Sequence, residues 1–319
     1  MDSIYAKPER RERLVGSLAG VAGGAKEIIR LNKDSLISEH FVRVSFSQVF
    51  AVAPTAVKLD EIGRLISSVK LVVSGAQGGE LLAVDGLVMP LHSRLYENQV
   101  AASVTLGTPT VGEFSFEIHY ANDEAKRDLM TALDGDSATQ VSLEITFASV
   151  STLILTGGTT PAAITFAAEV LSLDYNPRSF VDADGALLAQ YDGIASARHF
   201  LKQNTATAAG AGNQEIMLEV GNMTRNVMLV VEDGSNVLSD DIISNVSLVI
   251  NGVERRVGDF KSFKGLTAAR RSLDVVGLAL LDWGSDEFGF LNLNGVQQAR
   301  LVFTFTAAGN VRAVQDYTI

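Results

Sequence analysis

Residues 41–47 read Phe-Val-Arg-Val-Ser-Phe-Ser. Val42, Val44 and Phe46 fall on one side of this run; Arg43, Ser45 and Ser47 fall on the other. That is the period-two alternation of a strand with one buried face. Comparable runs predict strands at 68–74, 100–106, 113–120, 140–148, 151–156 and 163–174. A second series follows at 214–220, 226–232, 245–251, 273–281, 288–293, 299–306 and 311–318. Turn formers punctuate both series, among them Asp134-Gly135, Asp184-Gly185, Asp233-Gly234, Asn251-Gly252 and Asn294-Gly295. Residues 8–34 read instead as a weak helix, rich in Glu, Arg, Leu, Ala and Lys but interrupted by Gly16, Gly20, Gly23 and Gly24. Beyond residue 34, helix signals are few.

The strand series repeats. Residues 65–75 read Leu-Ile-Ser-Ser-Val-Lys-Leu-Val-Val-Ser-Gly, and residues 242–252 read Ile-Ile-Ser-Asn-Val-Ser-Leu-Val-Ile-Asn-Gly. Six of the eleven positions are identical at an offset of 177. Downstream, Leu143-Glu144-Ile145-Thr146-Phe147 matches Leu301-Val302-Phe303-Thr304-Phe305 at an offset of 158. The strand at 41–47 precedes the first copy, and that at 214–220 precedes the second. Shared order favours an internal duplication over chance similarity between valine-rich strands. Each half has the size of one antiparallel sandwich. The expected organisation is an N-terminal arm over 1–38, a first sandwich over 39–155, a connector over 156–199 and a second sandwich over 200–319.

Composition narrows the function classes. The 319 residues include no Cys, which removes disulfides, thiolate metal sites and thiol nucleophiles and suits a reducing cytosol. Net charge is −11, so the main body should not bind nucleic acid directly. Residues 1–33 run against this trend, with seven basic side chains against four acidic ones, a net +3 that leaves −14 for the remainder. No run of apolar residues is long enough for a spanning helix, and no signal peptide is visible.

Catalytic motifs fail on inspection. His40, His92, His119 and His199 show no metal-ligand spacing and read as structural or surface residues. Gly135-Asp136-Ser137 lacks the partners of a hydrolase nucleophile block and reads as a turn. Residues 20–26 lack the Gly-Lys-Ser/Thr ending of a phosphate loop, and Gly210-Ala211-Gly212 precedes a strand, unlike a dinucleotide fingerprint. No cofactor is expected. The acidic turns Asp182-Ala183-Asp184-Gly185 and Asp240-Asp241 are candidate sites for a structural divalent cation. The doublets Arg255-Arg256 and Arg270-Arg271 are candidate interface residues or ordinary exposed ones, and the sole tryptophan, Trp283, is expected as a buried core or interface anchor.

The repeats at 65–75 and 242–252, the paired strands at 143–147 and 301–305, and a basic N-terminal arm together resemble the double jelly-roll major capsid proteins of tailless, internal-membrane icosahedral phages. That resemblance implies two tandem jelly-roll sandwiches with a short N-terminal helical arm and a structural, non-enzymatic role. It implies a homotrimer of pseudo-hexameric outline that tiles a virion shell, assembled in the host cytoplasm. Implied partners are neighbouring capsomers, minor capsid proteins and an internal membrane. Arg10, Arg11, Arg13, Lys26, Arg30 and Lys33 would face that membrane or neighbouring subunits. The competing expectation is a virion spike or a carbohydrate- or receptor-binding sandwich, which would display exposed aromatic rings.

Overall fold

The computed structural model describes residues 10–33, 35–75, 78–97, 102–120, 132–135, 137–149, 154–175, 197–283 and 289–319. The chain is all-β and divides into two units, one of residues 1–93 with 100–199 and the other of 94–99 with 200–319.

Eight main strands build the first unit: β1 (Arg10–Ala22), β2 (Lys26–Leu31), β3 (Leu36–Val49), β4 (Ile66–Gly75), β5 (Gly79–Val84), β6 (Thr110–His119), β7 (Ala138–Phe147) and β8 (Ala163–Tyr175). A helix, α1 (Val88–Glu97), follows β5. One sheet runs β1-β8-β3-β6, and the other runs β2-β7-β4-β5. Eight more strands follow: β9 (His199–Ala208), β10 (Gly212–Leu218), β11 (Met223–Asp233), β12 (Ile243–Ile250), β13 (Val253–Gly258), β14 (Leu278–Asp282), β15 (Ala299–Phe305) and β16 (Gly309–Thr318). A second helix, α2 (Phe260–Arg271), follows β13. Here the sheets run β9-β16-β11-β14 and β10-β15-β12-β13. Counted within its own unit, each sheet has the same strand permutation, 1-8-3-6 and 2-7-4-5, and each fifth strand leads into a helix. That is the jelly roll, built twice.

The sequence repeats mark equivalent places in the two rolls. Leu143 of β7 lies opposite Leu71 of β4 and Ile29 of β2. Leu301 of β15 lies opposite Leu248 of β12 and Ile216 of β10. The duplication has thus kept cross-strand register as well as strand order, as it must when a one-residue slip would turn the buried face outward. The third pairing expected from sequence is corrected. Residues 41–47 lie in β3, a third strand, whereas 214–220 fall on β10, a second strand; the counterpart of β3 is β11.

The helical arm is also corrected. The described residues of 8–34 form β1 and β2, with β1 paired along β8 and β2 along β7. The glycines that weaken a helix serve a strand. A Cβ on Gly16 would come 2.2 Å from Ile29 Cγ2, and Gly20 holds a φ of +66° within the shift of β1 register against β8 between Leu18 and Val21. Tertiary pairing decides the outcome over local helix propensity. Residues 163–175, expected in a connector, are β8, the strand between β1 and β3. Both helices went unforeseen. Asp259 caps α2, accepting from Ser262 N at 2.8 Å, and the Ser272 backbone ends it in the left-handed region.

Each core is the space between a unit's two sheets. In the first unit Val42, Val44 and Phe46 of β3 are buried, as are Val69 and Leu71 of β4, and Phe147 stacks on Phe166 at 4.6 Å. The second core gathers Val227, Leu229 and Val231 of β11 with Val246, Leu248, Leu301, Phe303 and Phe305, closed by Phe260 and Phe263 from α2. Full burial of such side chains contributes roughly 1.5–3 kcal/mol each.

Candidate assembly surfaces and a histidine–carboxylate cluster

Among the described basic residues of the first 33 positions, Arg13, Lys26 and Lys33 make contacts within the fold. Arg13 on β1 donates from Nε and a terminal nitrogen to Asp174 Oδ2, at 2.8 and 2.6 Å, and also to Ser35 Oγ at 3.0 Å. Asp174 on β8 is fully buried, so Arg13 is its counter-charge within the fold. Lys26 pairs with Glu144 at 2.6 Å, and Lys33 donates to the Thr139 carbonyl at 3.2 Å. Arg30 is exposed on β2, Arg11 is half-buried on β1, and Arg10 opens β1 opposite Tyr175.

Three of the five candidate interface residues of the second unit knit α2 to β14. Arg271 donates twice to Asp282 Oδ2, at 3.1 and 2.7 Å, and Asp282 is buried. Arg256 on β13 donates to the Asp282 carbonyl at 3.4 Å and lies over the rings of Phe263 and Trp283, 5.3 and 5.6 Å from their centroids. Trp283 is buried. Arg255 and Arg270 are exposed. The strand that carries Arg255, β13, is the last of its sheet, and Val253 and Val257 on it are exposed as well.

Of the two acidic turns, 182–185 lies outside the described residues. Asp240 and Asp241 are engaged by lysines: Asp240 meets Lys264 at 2.5 Å and accepts from Gly277 N at 2.7 Å, and Asp241 meets Lys261 at 2.6 Å. The adjacent ammonium holds the Asp241 carboxyl below its usual range.

The histidines converge where spacing along the chain did not suggest it. His40 is fully buried; its Nδ1 and the Tyr120 hydroxyl share a hydrogen bond of 2.7 Å. Burial pulls the His40 pKa down to about 3 and pushes Tyr120 well above its normal value. On the opposite side of the same strand pair, Glu39 of β3 lies directly across from His119 of β6, and Phe41 from Glu117. His119 Nε2 is 2.9 Å from Glu117 Oε2, and Nδ1 is 3.7 Å from Glu39 Oε2. His199 Nδ1 sits 2.7 Å from the His119 carbonyl oxygen, and Glu117 N donates to Ser93 Oγ of α1 at 2.8 Å. His92 is buried on the same helix. Only strand pairing brings residues 39, 117 and 119 together, so no local motif could have disclosed them.

No protein-family model matches this sequence, and no curated protein matches it. Solved structures do. The major capsid protein of Sulfolobus turreted icosahedral virus superposes with a TM-score of 0.76 at 13% identity, covering 98% of this chain and 97% of its own. That of bacteriophage PM2 gives 0.60 at 13%, covering 97% of each chain. The Faustovirus major capsid protein gives 0.62 at 9%, covering 100% of this chain and 92% of its own. All three share the tandem architecture along their length, and this chain therefore has the double jelly-roll fold of viral major capsid proteins.

Proposed function

We propose that this protein is the major subunit of a virion shell, a structural protein rather than an enzyme. One observation carries the reading: two jelly rolls of identical strand permutation fill the chain, and major capsid proteins match it from end to end. A trimer of such chains sets six similar sandwiches around one axis, giving a pseudo-hexameric outline suited to tiling an icosahedral shell. Large complementary faces are what such a subunit needs. Arg255, exposed on the edge strand β13, and Arg270, exposed in the last turn of α2, are the basic residues proposed to meet a neighbouring subunit. Arg30, exposed on β2, would meet neighbours, minor capsid proteins or the anionic surface of an internal membrane. The cysteine-free chain suits assembly in a host cytoplasm. A spike or carbohydrate-binding role finds less support, because every described Phe, Tyr and Trp side chain is buried or half-buried.

Light scattering on the purified full chain tests the proposal. The expected particle has about three times the 34.0 kDa chain mass, or a multiple of that trimer, with a hexagonal outline in negative stain. A stable monomer at tens of micromolar protein would overturn it.

A further inference from the structure

We infer that Glu39, Glu117 and His119 form a binding site for a divalent transition-metal ion of the zinc class on the first jelly roll. The inference starts from register. Directly paired residues of antiparallel strands have Cβ atoms about 4.5–5.5 Å apart, and residues two apart on one strand share a face. Glu39 opposite His119, with Glu117 two residues before it, therefore aims three donor side chains into one small volume. One ligand atom from each lies within 4.8 Å of the other two. A tetrahedral ion with bonds of about 2.1 Å holds its ligand atoms about 3.4 Å apart. Glu117 faces Nε2 and Glu39 faces Nδ1, so binding one ion requires one carboxylate to swing to the other's side of the ring.

Charge and environment point the same way. The side chains keep only 17%, 9% and 10% of their surface exposed, in the order Glu39, Glu117, His119. Two carboxylates crowded together away from water repel one another and lose hydration. A dication between them offsets both charges. The donor set selects the metal. One imidazole nitrogen with two carboxylate oxygens suits Zn²⁺ or Mn²⁺, whereas Ca²⁺ takes six to eight oxygens. Three protein donors leave a fourth position for water.

The backbone under the cluster is held on both flanks. Ser93 on α1 takes the N–H of Glu117, and His199 meets the carbonyl of His119. Such supporting bonds fix donor direction before the ion arrives, which lowers the ordering cost of binding. An ion there would cross-link β3 to β6 and stabilise the folded unit by mass action. This site does not depend on the capsid reading.

The test uses the full chain, stripped with EDTA and dialysed, then titrated with ZnCl₂ by calorimetry with metal content measured after desalting. Wild type should retain one Zn²⁺ per chain, and Co²⁺ in its place should give the visible absorption of a tetrahedral nitrogen–oxygen site. His119→Gln and Glu117→Gln should each weaken Zn²⁺ binding by more than about 100-fold, beyond what loss of a supporting partner causes. Glu39→Gln provides a further variant should either fail to fold. His40→Gln, altered on the other side of the same strand, should keep the ion. Absence of stoichiometric Zn²⁺ in wild type, or full retention in the folded cluster variants, would overturn the assignment.

Discussion

His40 couples the first jelly roll to pH through a ring that folding keeps neutral. Its folded pKa is about 3 because burial penalises the imidazolium, against about 6.5 in the unfolded chain. Between these values the unfolded state binds the additional proton, so stability rises with pH across this window and is fully present above about 6.5. Each pH unit inside the window is worth about 1.4 kcal/mol. Lowering the pH from 7 to 5 should therefore remove about 2 kcal/mol through this residue alone. The informative perturbation is His40→Gln, whose amide can still hydrogen-bond the Tyr120 hydroxyl but does not titrate. Urea unfolding of both proteins at pH 7 and pH 5, followed by far-UV circular dichroism, measures the loss. The remaining histidines and carboxylates titrate alike in both proteins and cancel in the comparison. Trp283, the sole tryptophan, lies in the second unit, so its fluorescence separates that unit's transition from the one carrying His40. Wild type should lose about 2 kcal/mol more than the variant on acidification. A difference under about 0.5 kcal/mol, the usual limit of additivity, would refute the buried, neutral histidine.

Two further perturbations probe the same unit. Gly86→Ala should destabilise by about 3 kcal/mol, the upper end for overpacking, because its Cβ would sit 2.2 Å from the Ile66 carbonyl oxygen and 2.7 Å from that of Gly63. Backbone cannot step aside as a side chain can, and thermal melting reads the loss. Asp174→Asn should cost about 2 kcal/mol in urea unfolding, below the usual range for breaking a buried pair because Arg13 keeps 30% of its side chain in water.

Alternation along single strands made much of the fold legible. Residues 41–47 and 141–147 bury every second position, and each run lies within an observed strand; 311–318 is a strand too, but is buried on both faces through Gln315 and Asp316. The repeat at 65–75 and 242–252 was legible because the two fourth strands of a duplicated sandwich share one set of packing demands. What stayed hidden depends on partners distant in sequence. The helix-prone composition of 10–31 yields to pairing with β8 and β7, which no local window contains. Likewise α2 rests on the Asp259 cap and on burying Phe260 and Phe263, while Gly265 and its basic residues dilute the local signal. The surface residues divided in the same way. Arg256 and Arg271 look from sequence like exposed or interface residues, yet Asp282 and Phe263 engage them, while Trp283, expected in the core or at an interface, lies buried beneath Arg256. His119 belongs to a strand legible as 113–120, whereas Glu39 precedes the run legible as 41–47 and joins it only in the longer observed strand; which strand adjoins which follows from jelly-roll topology, not from either segment.

The outermost strand of the second roll carries a consequence for life before assembly. A bare strand margin offers a line of amide and carbonyl groups to any extended peptide, and on β13 the valines at 253 and 257 would reward such a guest. The guanidinium group of Arg255, exposed between those valines, interrupts that margin, while Arg256 folds back over Phe263 and Trp283. A guest strand would have to strip water from the exposed Glu254 carboxylate and Arg255 guanidinium, so the charges along this margin oppose open-ended edge-to-edge pairing between chains.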